Sequence, residues 1–253
     1  PDAVRFIKTL EEDLARRDFT INAMALKINS SVPELVEGRA LGKENPSTPV
    51  GRSGNNIYNI IDPFGGQKDL EQKLIRAVGD AHERFSEDAL RMMRAVRLAS
   101  ELGFTIEPDT LKAVKNNAAS LPVISQERIR DELQKLIMGE FAATSIRLLE
   151  DAGLLQYVMP ELREGIGVAQ NLHHIYTVFE HNVRALEYSA KKKYNFVVRM
   201  ASLLHDVGKS QTKRGEGYRA TFYGHDVVGA RITQKLLERL RFPREVIDKV
   251  TLL

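Results

Sequence analysis

One aspartate and three arginines that recur at every third position are the residues of this sequence best suited to chemistry. They are Asp88, Arg91, Arg94 and Arg97. In an α-helix, residues three apart lie about 60° apart around the axis and about 4.5 Å apart along it, so these side chains would form one polar ridge. Arginine forks bind phosphate bidentately, and an Asp–Arg pair offers acceptors and donors to the edge of a base. The spacing alone favours an ordinary helix face with i,i+3 ion pairs.

Histidines and carboxylates form a second group in the C-terminal half of the chain. An adjacent His205-Asp206 pair ends an apolar stretch, with His181 one helix upstream and His225 downstream. Neutral imidazole and carboxylate together suit a divalent metal. A histidine on an apolar helix is more often a packed core residue, so the metal hypothesis requires that these side chains meet in space.

The elements that must position these groups are predicted to be mainly helical. Alternating residues predict strands at Thr20–Ile28 and Ile57–Ile61, and the Pro- and Gly-rich stretch 29–56 between them predicts a long loop. Ser86 is predicted to cap a helix over Glu87–Leu102 that stops at Gly103. Apolar periodicity predicts further helices over residues 3–14, 108–119, 125–138, 141–157 (broken at Gly153), 173–193, 195–204, 226–241 and 244–253.

Composition sets outer limits on the protein class. The chain has 253 residues, 43% of them hydrophobic, and a formal net charge of +3. No run of eighteen uncharged apolar residues and no signal segment are present, so we expect a soluble protein without a membrane partner. The absence of cysteine excludes disulfides and thiolate metal sites, and it suits a cytoplasmic protein. Both ends of the sequence look cut, and nothing in it indicates an oligomeric state.

Three segments in order carry a resemblance to a known family. Leu14–Ala25, Asp62–Gly79 and Arg84–Phe104 resemble the nucleotidyltransferases that include bacterial CCA-adding, A-adding and CC-adding enzymes and poly(A) polymerases. The resemblance implies that Arg17 contacts the nucleotide and that Asp18 lies near its ribose. It further implies that Asp88 and Arg91 pair with the edge of the incoming base, with Arg94 and Arg97 as supporting nucleotide contacts.

The same resemblance implies a fold and a reaction. The fold expected is mainly α with a small α+β part: a palm (head) fragment over 1–79, a helical neck over 80–140, a connector over 141–172 and an HD domain over 173–253. The reaction expected is template-independent addition of CMP and AMP to the tRNA 3′ end from CTP and ATP, with Mg²⁺. The family's Asp-x-Asp metal pair has no counterpart before Arg16, so we expect no catalytic residue in the chain and no transfer by residues 1–253 alone.

The histidine group resembles the HD superfamily, which binds a divalent metal. His181, His205 and Asp206 match its first three ligands, Asp248 is a weak candidate for its distal aspartate, and His225 is an additional contact. Three alternatives stay open: a bacterial poly(A) polymerase, a stand-alone HD phosphohydrolase and a non-catalytic RNA-binding protein. Residues 140–253 show no dense basic stripe, so no tRNA contact is assigned to them.

Overall fold

The chain folds mainly as α-helices with a small α+β part at the N-terminal side. The computed structural model describes residues 9–28, 58–171 and 175–253, apart from the side chain of Tyr218. The first predicted helix is present as α1 (Leu10–Ala15), and residues 1–8 lie outside the described part. The predicted long loop at 29–56 also lies outside it.

A two-stranded antiparallel sheet lies near the N-terminal end. Strand β1 (Ala25–Ile28) pairs with β2 (Tyr58–Ile61), so that Ala25 lies opposite Ile61. The predicted start of the first strand was wrong, because Thr20–Asn22 is a turn of 3₁₀-helix. Thr20 explains the difference: its amide donates to the carbonyl of Arg76 and its hydroxyl to the Asp69 carboxylate. These contacts, made far along the chain, outweigh the local alternation of apolar residues.

A second small sheet joins β3 (Leu74–Ile75) in parallel with β4 (Thr105–Ile106). Before it, helix α2 (Gly66–Glu71) begins where the Asp62 carboxylate accepts the backbone N–H groups of Gly66 and Gln67, at 2.7 and 2.9 Å. A Cβ at Gly66 would lie 2.3 Å from the carbonyl oxygen of Thr20. Glycine is therefore required where the start of α2 meets the Thr20–Asn22 turn.

The helix predicted over Glu87–Leu102 is two helices, which corrects the prediction. Helix α3 (Ala81–Glu87) contains Ser86 in its last turn, and α4 (Leu90–Leu102) starts after a break. Asp88 lies in the break with extended backbone (φ −151°, ψ 101°), and its Oδ1 accepts the N–H of Leu90 at 3.1 Å. An aspartate carboxylate that binds the first free amides of a helix favours a new helix start there. Gly103, at φ 65°, ends α4 as predicted.

Helices make up most of the remaining chain. They are α5 (Pro108–Asn117), a 3₁₀-helix (Ala118–Val123), α6 (Gln126–Met138), α7 (Ala142–Asp151), α8 (Leu155–Val158), α9 (Pro160–Arg163), α10 (Val178–Lys191), α11 (Phe196–Leu204), α12 (Lys209–Thr212), a 3₁₀-helix (Gly217–Arg219), α13 (His225–Arg239) and α14 (Arg244–Leu252). Ser125 and Asn195 cap α6 and α11 through their side-chain oxygens. Gly153, at φ 73°, separates α7 from α8 at the predicted break. Helix α10 starts later than predicted, and residues 172–174 lie outside the described part.

One continuous apolar core runs under these helices, from Phe19 to Val250. Met92, Met93 and Val96 of α4 are fully buried in it, whereas Arg91, Arg94 and Arg97 lie on the less buried side of the helix. Because the core crosses every predicted boundary, packing does not test the four-part domain division, which stays a prediction. Within residues 9–28, 58–171 and 175–253, no helix has the length and apolar character to cross a membrane.

A buried arginine joins the C-terminal helices to α6. Nη1 of Arg199, on α11, donates to the carbonyls of Ile137, Met138 and Gly139 at 3.0–3.1 Å. Its Nε donates to the carbonyl of Tyr194 at 2.8 Å. The last carbonyls of a helix have no partner within the helix, so this guanidinium satisfies the C-terminus of α6 and fixes α11 against it.

Candidate nucleotide cavity and metal cluster

A cavity of about 480 Å³ opens between the Arg17–Asn22 segment, the α3–α4 break and the start of α6. Its walls carry four arginines and two aspartates alongside two other residues: Arg17, Asp18, Asn22, Asp88, Leu90, Arg91, Arg94 and Arg128. This volume lies within the usual range of small-molecule sites. Excess positive charge with fixed carboxylates suits a ligand that has both phosphates and a hydrogen-bonding base.

Asp18 and Arg94 form the inner wall of the cavity. Asp18 is buried, and its Oδ2 accepts Nε and Nη2 of Arg94, both at 2.6 Å. Its Oδ1 accepts the backbone N–H of Phe19 at 3.0 Å. Since both oxygens have fixed donors, the carboxylate is a rigid acceptor beside the guanidinium of Arg94.

Arg17 lies at the rim of the same cavity. Its guanidinium is about half exposed and donates to the carbonyl of Asn22 at 3.1 Å and to Asp13 at 3.3 Å. Exposed i,i+4 pairs such as Arg17–Asp13 contribute little to stability. The guanidinium can therefore exchange that contact for a phosphate at small cost.

Asp88 and Arg91 lie side by side although only Arg91 is helical. Arg91 donates to Glu87 at 2.8 Å and to the carbonyls of Arg84 and Arg16 at 3.2 and 3.0 Å. Asp88 accepts Leu90 N–H on Oδ1 and Arg128 on Oδ2. A carboxylate offers about four acceptor positions, so acceptor capacity remains for a ligand.

Arg128 is the cavity residue that the sequence analysis missed. It lies in the first turn of α6, about half exposed, with Nη2 2.7 Å from Asp88 Oδ2. A cation in the first turn opposes the helix dipole. That unfavourable position is the signal in the sequence that Arg128 has a partner outside its own helix.

Arg97 does not line the cavity. It turns away toward α6, with Nε 2.5 Å from the fully buried carboxylate of Glu132 and Nη1 2.8 Å from Glu101. The structure therefore brings Arg17, Asp18, Asp88, Arg91 and Arg94 together and places Arg97 in a packed ion pair between α4 and α6. Its role as a nucleotide contact stays a prediction.

Replacing Arg97 with methionine is expected to lower the free energy of unfolding by about 3–5 kcal/mol, because Glu132 is left charged and buried without this partner. Urea denaturation measures the change. Glu101→Gln serves as the control, since its exposed pair with Arg97 should be worth less than about 1 kcal/mol. Equal losses in the two variants would show that the Arg97–Glu132 pair does not stabilise the α4–α6 packing.

The histidine group forms a compact cluster at one end of α10 and α11. Nε2 of His181 lies 3.1 Å from Nε2 of His205, and both nitrogens lie 3.3 Å from Oδ2 of Asp206. His225 adds its Nε2 at 3.5 Å from Oδ1 of Asp206. Helix ends position these side chains: His205 and Asp206 directly follow α11, and His225 is the first residue of α13.

Hydrogen bonds set the orientation and the pKa values of these groups. Nδ1 of His205 lies 2.9 Å from the carbonyl of Ser202, so Nδ1 carries a proton and donates it there. In the neutral ring Nε2 then has a free lone pair, whereas in the protonated ring Nε2 donates to Asp206. Burial opposes ionisation of Asp206, but hydrogen bonds from His205 and Lys209 outweigh it and hold the pKa of Asp206 well below its usual range. Burial likewise opposes protonation of His205, yet the Asp206 carboxylate raises its pKa.

The spacing of the three donor atoms fits a divalent metal. With metal–ligand bonds of about 2.1 Å, neighbouring ligands lie about 3.0 Å apart in an octahedron and about 3.4 Å apart in a tetrahedron. The separations of 3.1–3.3 Å lie between these values. His181, His205 and Asp206 thus have the spacing of one face of a coordination polyhedron and could hold a metal ion. Asp248 is instead exposed on α14 and paired with Arg244 at 2.9 Å, so it does not belong to the cluster.

Three family models match the chain in the order of its elements. The poly(A) polymerase head domain matches residues 1–42, the probable RNA- and SrmB-binding site of polymerase A matches 103–166, and the HD domain matches 174–252. The last match contains His181, His205 and Asp206.

Curated relatives and solved structures agree with these matches. An A-adding tRNA nucleotidyltransferase from Deinococcus radiodurans is 40% identical over 96% of the chain and 51% of its own length. A CCA-adding enzyme from Geobacillus thermodenitrificans is 45% identical over 65% of the chain and 33% of its own length. The structure of the Bacillus stearothermophilus CCA-adding enzyme in complex with CTP superposes with a TM-score of 0.55 at 31% identity, covering 96% of this chain and 46% of that one.

The chain spans about half the length, or less, of these relatives. Its ordered match to a polymerase head, an RNA-binding segment and an HD domain is accompanied by identities of 40–45% to named enzymes. The chain therefore belongs to the family of CCA-adding tRNA nucleotidyltransferases and bacterial poly(A) polymerases, in the form that has an HD domain.

Proposed function

We propose that this chain is the nucleotide-selecting part of a template-independent tRNA nucleotidyltransferase that adds CMP and AMP to tRNA 3′ ends from CTP and ATP. The observation that carries the proposal is the cavity in which Asp88 and Arg91 lie beside the fixed Asp18–Arg94 pair. The relatives named as A-adding and CCA-adding enzymes support the same assignment.

The cavity can select a base by the direction of its hydrogen bonds. Cytosine and adenine each present an amino donor next to a ring nitrogen acceptor, whereas uracil and guanine present a carbonyl oxygen at the matching place. Asp88 accepts from the amino group and Arg91 donates to the ring nitrogen. A carbonyl oxygen facing the Asp88 carboxylate would be repelled.

The other charged groups suit the remainder of the nucleotide. Arg17 and Arg94 supply guanidinium groups for phosphate, and Asp18 supplies a fixed acceptor for a ribose hydroxyl. The sequence has no Asp-x-Asp pair, so its residues do not fit the Mg²⁺ site through which this family transfers nucleotides. The contribution of these residues is to bind and orient the nucleotide.

Competition for bound fluorescent CTP tests this proposal on the 253-residue chain. CTP and ATP should each displace the probe at concentrations at least about tenfold below those needed for UTP and GTP, because one mismatched pair of base contacts costs about 1–3 kcal/mol. Displacement by ATP at concentrations at least about tenfold below those needed for CTP would favour a poly(A) polymerase. Equal displacement by all four nucleotides would overturn selection by Asp88 and Arg91.

We further propose that the HD part binds a divalent metal and hydrolyses phosphoesters. The observation that favours this second function is the set of 3.1–3.3 Å separations among His181, His205 and Asp206. A bound metal supplies Lewis acidity for such hydrolysis. Lys209 lies between Asp206 and Gln170, at 2.7 and 2.8 Å, and faces a neighbouring hollow of about 620 Å³, where its ammonium can meet a phosphate.

A further inference from the structure

Three consecutive lysines and two exposed tyrosines gather at the C-terminal end of α10. Lys191, Lys192 and Lys193 form the longest run of basic residues in the sequence. Tyr188 precedes them with 60% of its surface exposed, and Tyr194 follows them with 45% exposed. We call Tyr188 and Lys191–Tyr194 the α10 patch.

The helix dipole explains only part of this arrangement. Lysines near a helix C-terminus are favoured by the dipole, and Lys191 also pairs with Glu187 at 2.8 Å. Neither effect accounts for two exposed aromatic rings on either side of the lysines. The Lys192 ammonium lies 5.6 Å from the centre of the Tyr188 ring, so cation and ring share one surface.

The backbone holds the α10 patch in a fixed shape. Lys193 adopts a left-handed conformation (φ 55°), and its N–H donates to the carbonyl of Ala190 while that of Tyr194 donates to Ser189. The carbonyl of Tyr194 in turn accepts from the buried Arg199. The backbone that carries the lysines and Tyr194 is therefore held in place by contacts within the chain.

Helix α6 connects the α10 patch to the nucleotide cavity. Arg199 binds both Tyr194 and Met138, so the patch adjoins the C-terminal end of α6, while Arg128 at the other end lines the cavity. Ten residues of helix span about 15 Å. Lys135 lies two turns from Arg128 on the same face, and both side chains are about half exposed.

We propose that the α10 patch binds the backbone and bases of an RNA strand whose 3′ end lies at the nucleotide cavity. Lysines contact phosphates, and exposed tyrosines stack on unpaired bases, as in other single-strand binding surfaces. The part of α6 between Arg128 and Met138, about 15 Å long, is comparable to four or five stacked nucleotides at about 3.4 Å each. The inference rests on the proposed function, because it takes the cavity as the place where the strand ends.

Residues 140–253 carry no basic stripe dense enough to predict an RNA contact from sequence alone. Three lysines are a short run, and a sequence does not show that the tyrosines beside them remain uncovered. The exposure of Tyr188 and Tyr194 and the contact through Arg199 appear only in the folded chain.

Fluorescence anisotropy with a 5′-labelled RNA hairpin that ends in an unpaired 3′ strand tests the inference on the whole chain. The double variant Lys192→Gln/Lys193→Asn keeps the left-handed backbone accessible and should weaken binding about tenfold at low salt. The slope of log K against log salt should fall by about 1.4, the value for two lost phosphate contacts on a single strand. Tyr188→Leu should weaken binding by a further factor of about ten, whereas Tyr188→Phe should restore it.

Two comparisons make the result specific. Lys112→Gln/Lys115→Gln removes the same charge from the exposed side of α5 and should leave RNA affinity within about twofold. Each α10 variant should bind CTP as the parent chain does. Unchanged RNA binding in the α10 variants would overturn the inference, as would loss of binding to anionic lipid vesicles instead of RNA.

Failure of the proposed function gives a different pattern. If CTP and ATP bind selectively but the α10 variants bind RNA as the parent chain does, only this inference fails. If no nucleotide is selected, the proposed function fails, whatever the salt dependence of RNA binding at the patch.

Discussion

Replacing Asp88 with asparagine is expected to move the CTP-to-UTP affinity ratio of the chain by at least about tenfold toward UTP. Asparagine keeps an oxygen that can accept the N–H of Leu90, so the start of α4 is preserved. Its amide group, however, can donate to the carbonyl oxygen of uracil where the carboxylate repels it. The change therefore alters the direction of one base contact while the phosphate contacts of Arg17 and Arg94 stay in place.

The matched control for this variant is Asp131→Asn. Asp131 is an exposed aspartate of α6 that pairs with Arg130 and does not line the cavity. The Asp131→Asn variant should leave the CTP-to-UTP affinity ratio unchanged within about twofold. If Asp88→Asn weakens all four nucleotides equally, Asp88 stabilises the cavity without reading the base. A shift of the CTP-to-UTP affinity ratio toward UTP is the result that only contact between residue 88 and the base explains.

Replacing His205 with alanine is expected to remove metal binding from the HD part. The wild-type chain should bind one Mn²⁺, detected by electron paramagnetic resonance of the free ion. A site reduced from three ligands to two should bind at least about 100-fold more weakly, since even loss of an outer hydrogen bond to a ligand costs 10–100-fold. At 100 times its dissociation constant, the metal should also stabilise the wild type by about 2.7 kcal/mol.

His82→Ala is the control for the metal experiment, because His82 contacts Asn117 on α5 and lies outside the cluster. It should keep full Mn²⁺ affinity. Hydrolysis of a 2′,3′-cyclic nucleotide should disappear in His205→Ala and persist in His82→Ala. Retention of the Mn²⁺-induced rise in melting temperature by His205→Ala would contradict the assignment of His181, His205 and Asp206 as ligands.

Helix limits could be predicted well where a local signal sets them. Gly103 ends α4, Gly153 separates α7 from α8, and Ser125 and Asn195 cap α6 and α11, each through contacts within a few residues. Such signals need no knowledge of the tertiary fold. The grouping of the histidines with Asp206 could also be expected from the sequence, because His205 and Asp206 are adjacent and come directly after an apolar helix.

Long-range contacts set what the sequence could not predict. A three-residue period continues through Asp88, but the fold uses its carboxylate to start α4 and to bind Arg128 of another helix. The same period predicts Arg97 on the arginine ridge. In the fold Arg97 instead pairs with the buried carboxylate of Glu132 and lies against α6. Both outcomes depend on α6, whose position against α4 follows from tertiary packing rather than from spacing along the chain.

A crystal structure of the chain with CTP would show whether Asp88 and Arg91 contact the base. We expect cytosine to lie in the cavity between Asp18 and Arg128, with its amino group within about 3.2 Å of Asp88 and its ring nitrogen at the same distance from Arg91. Cytosine bound elsewhere, or in the cavity with its amino group turned away from Asp88, would contradict selection of the nucleotide by this pair.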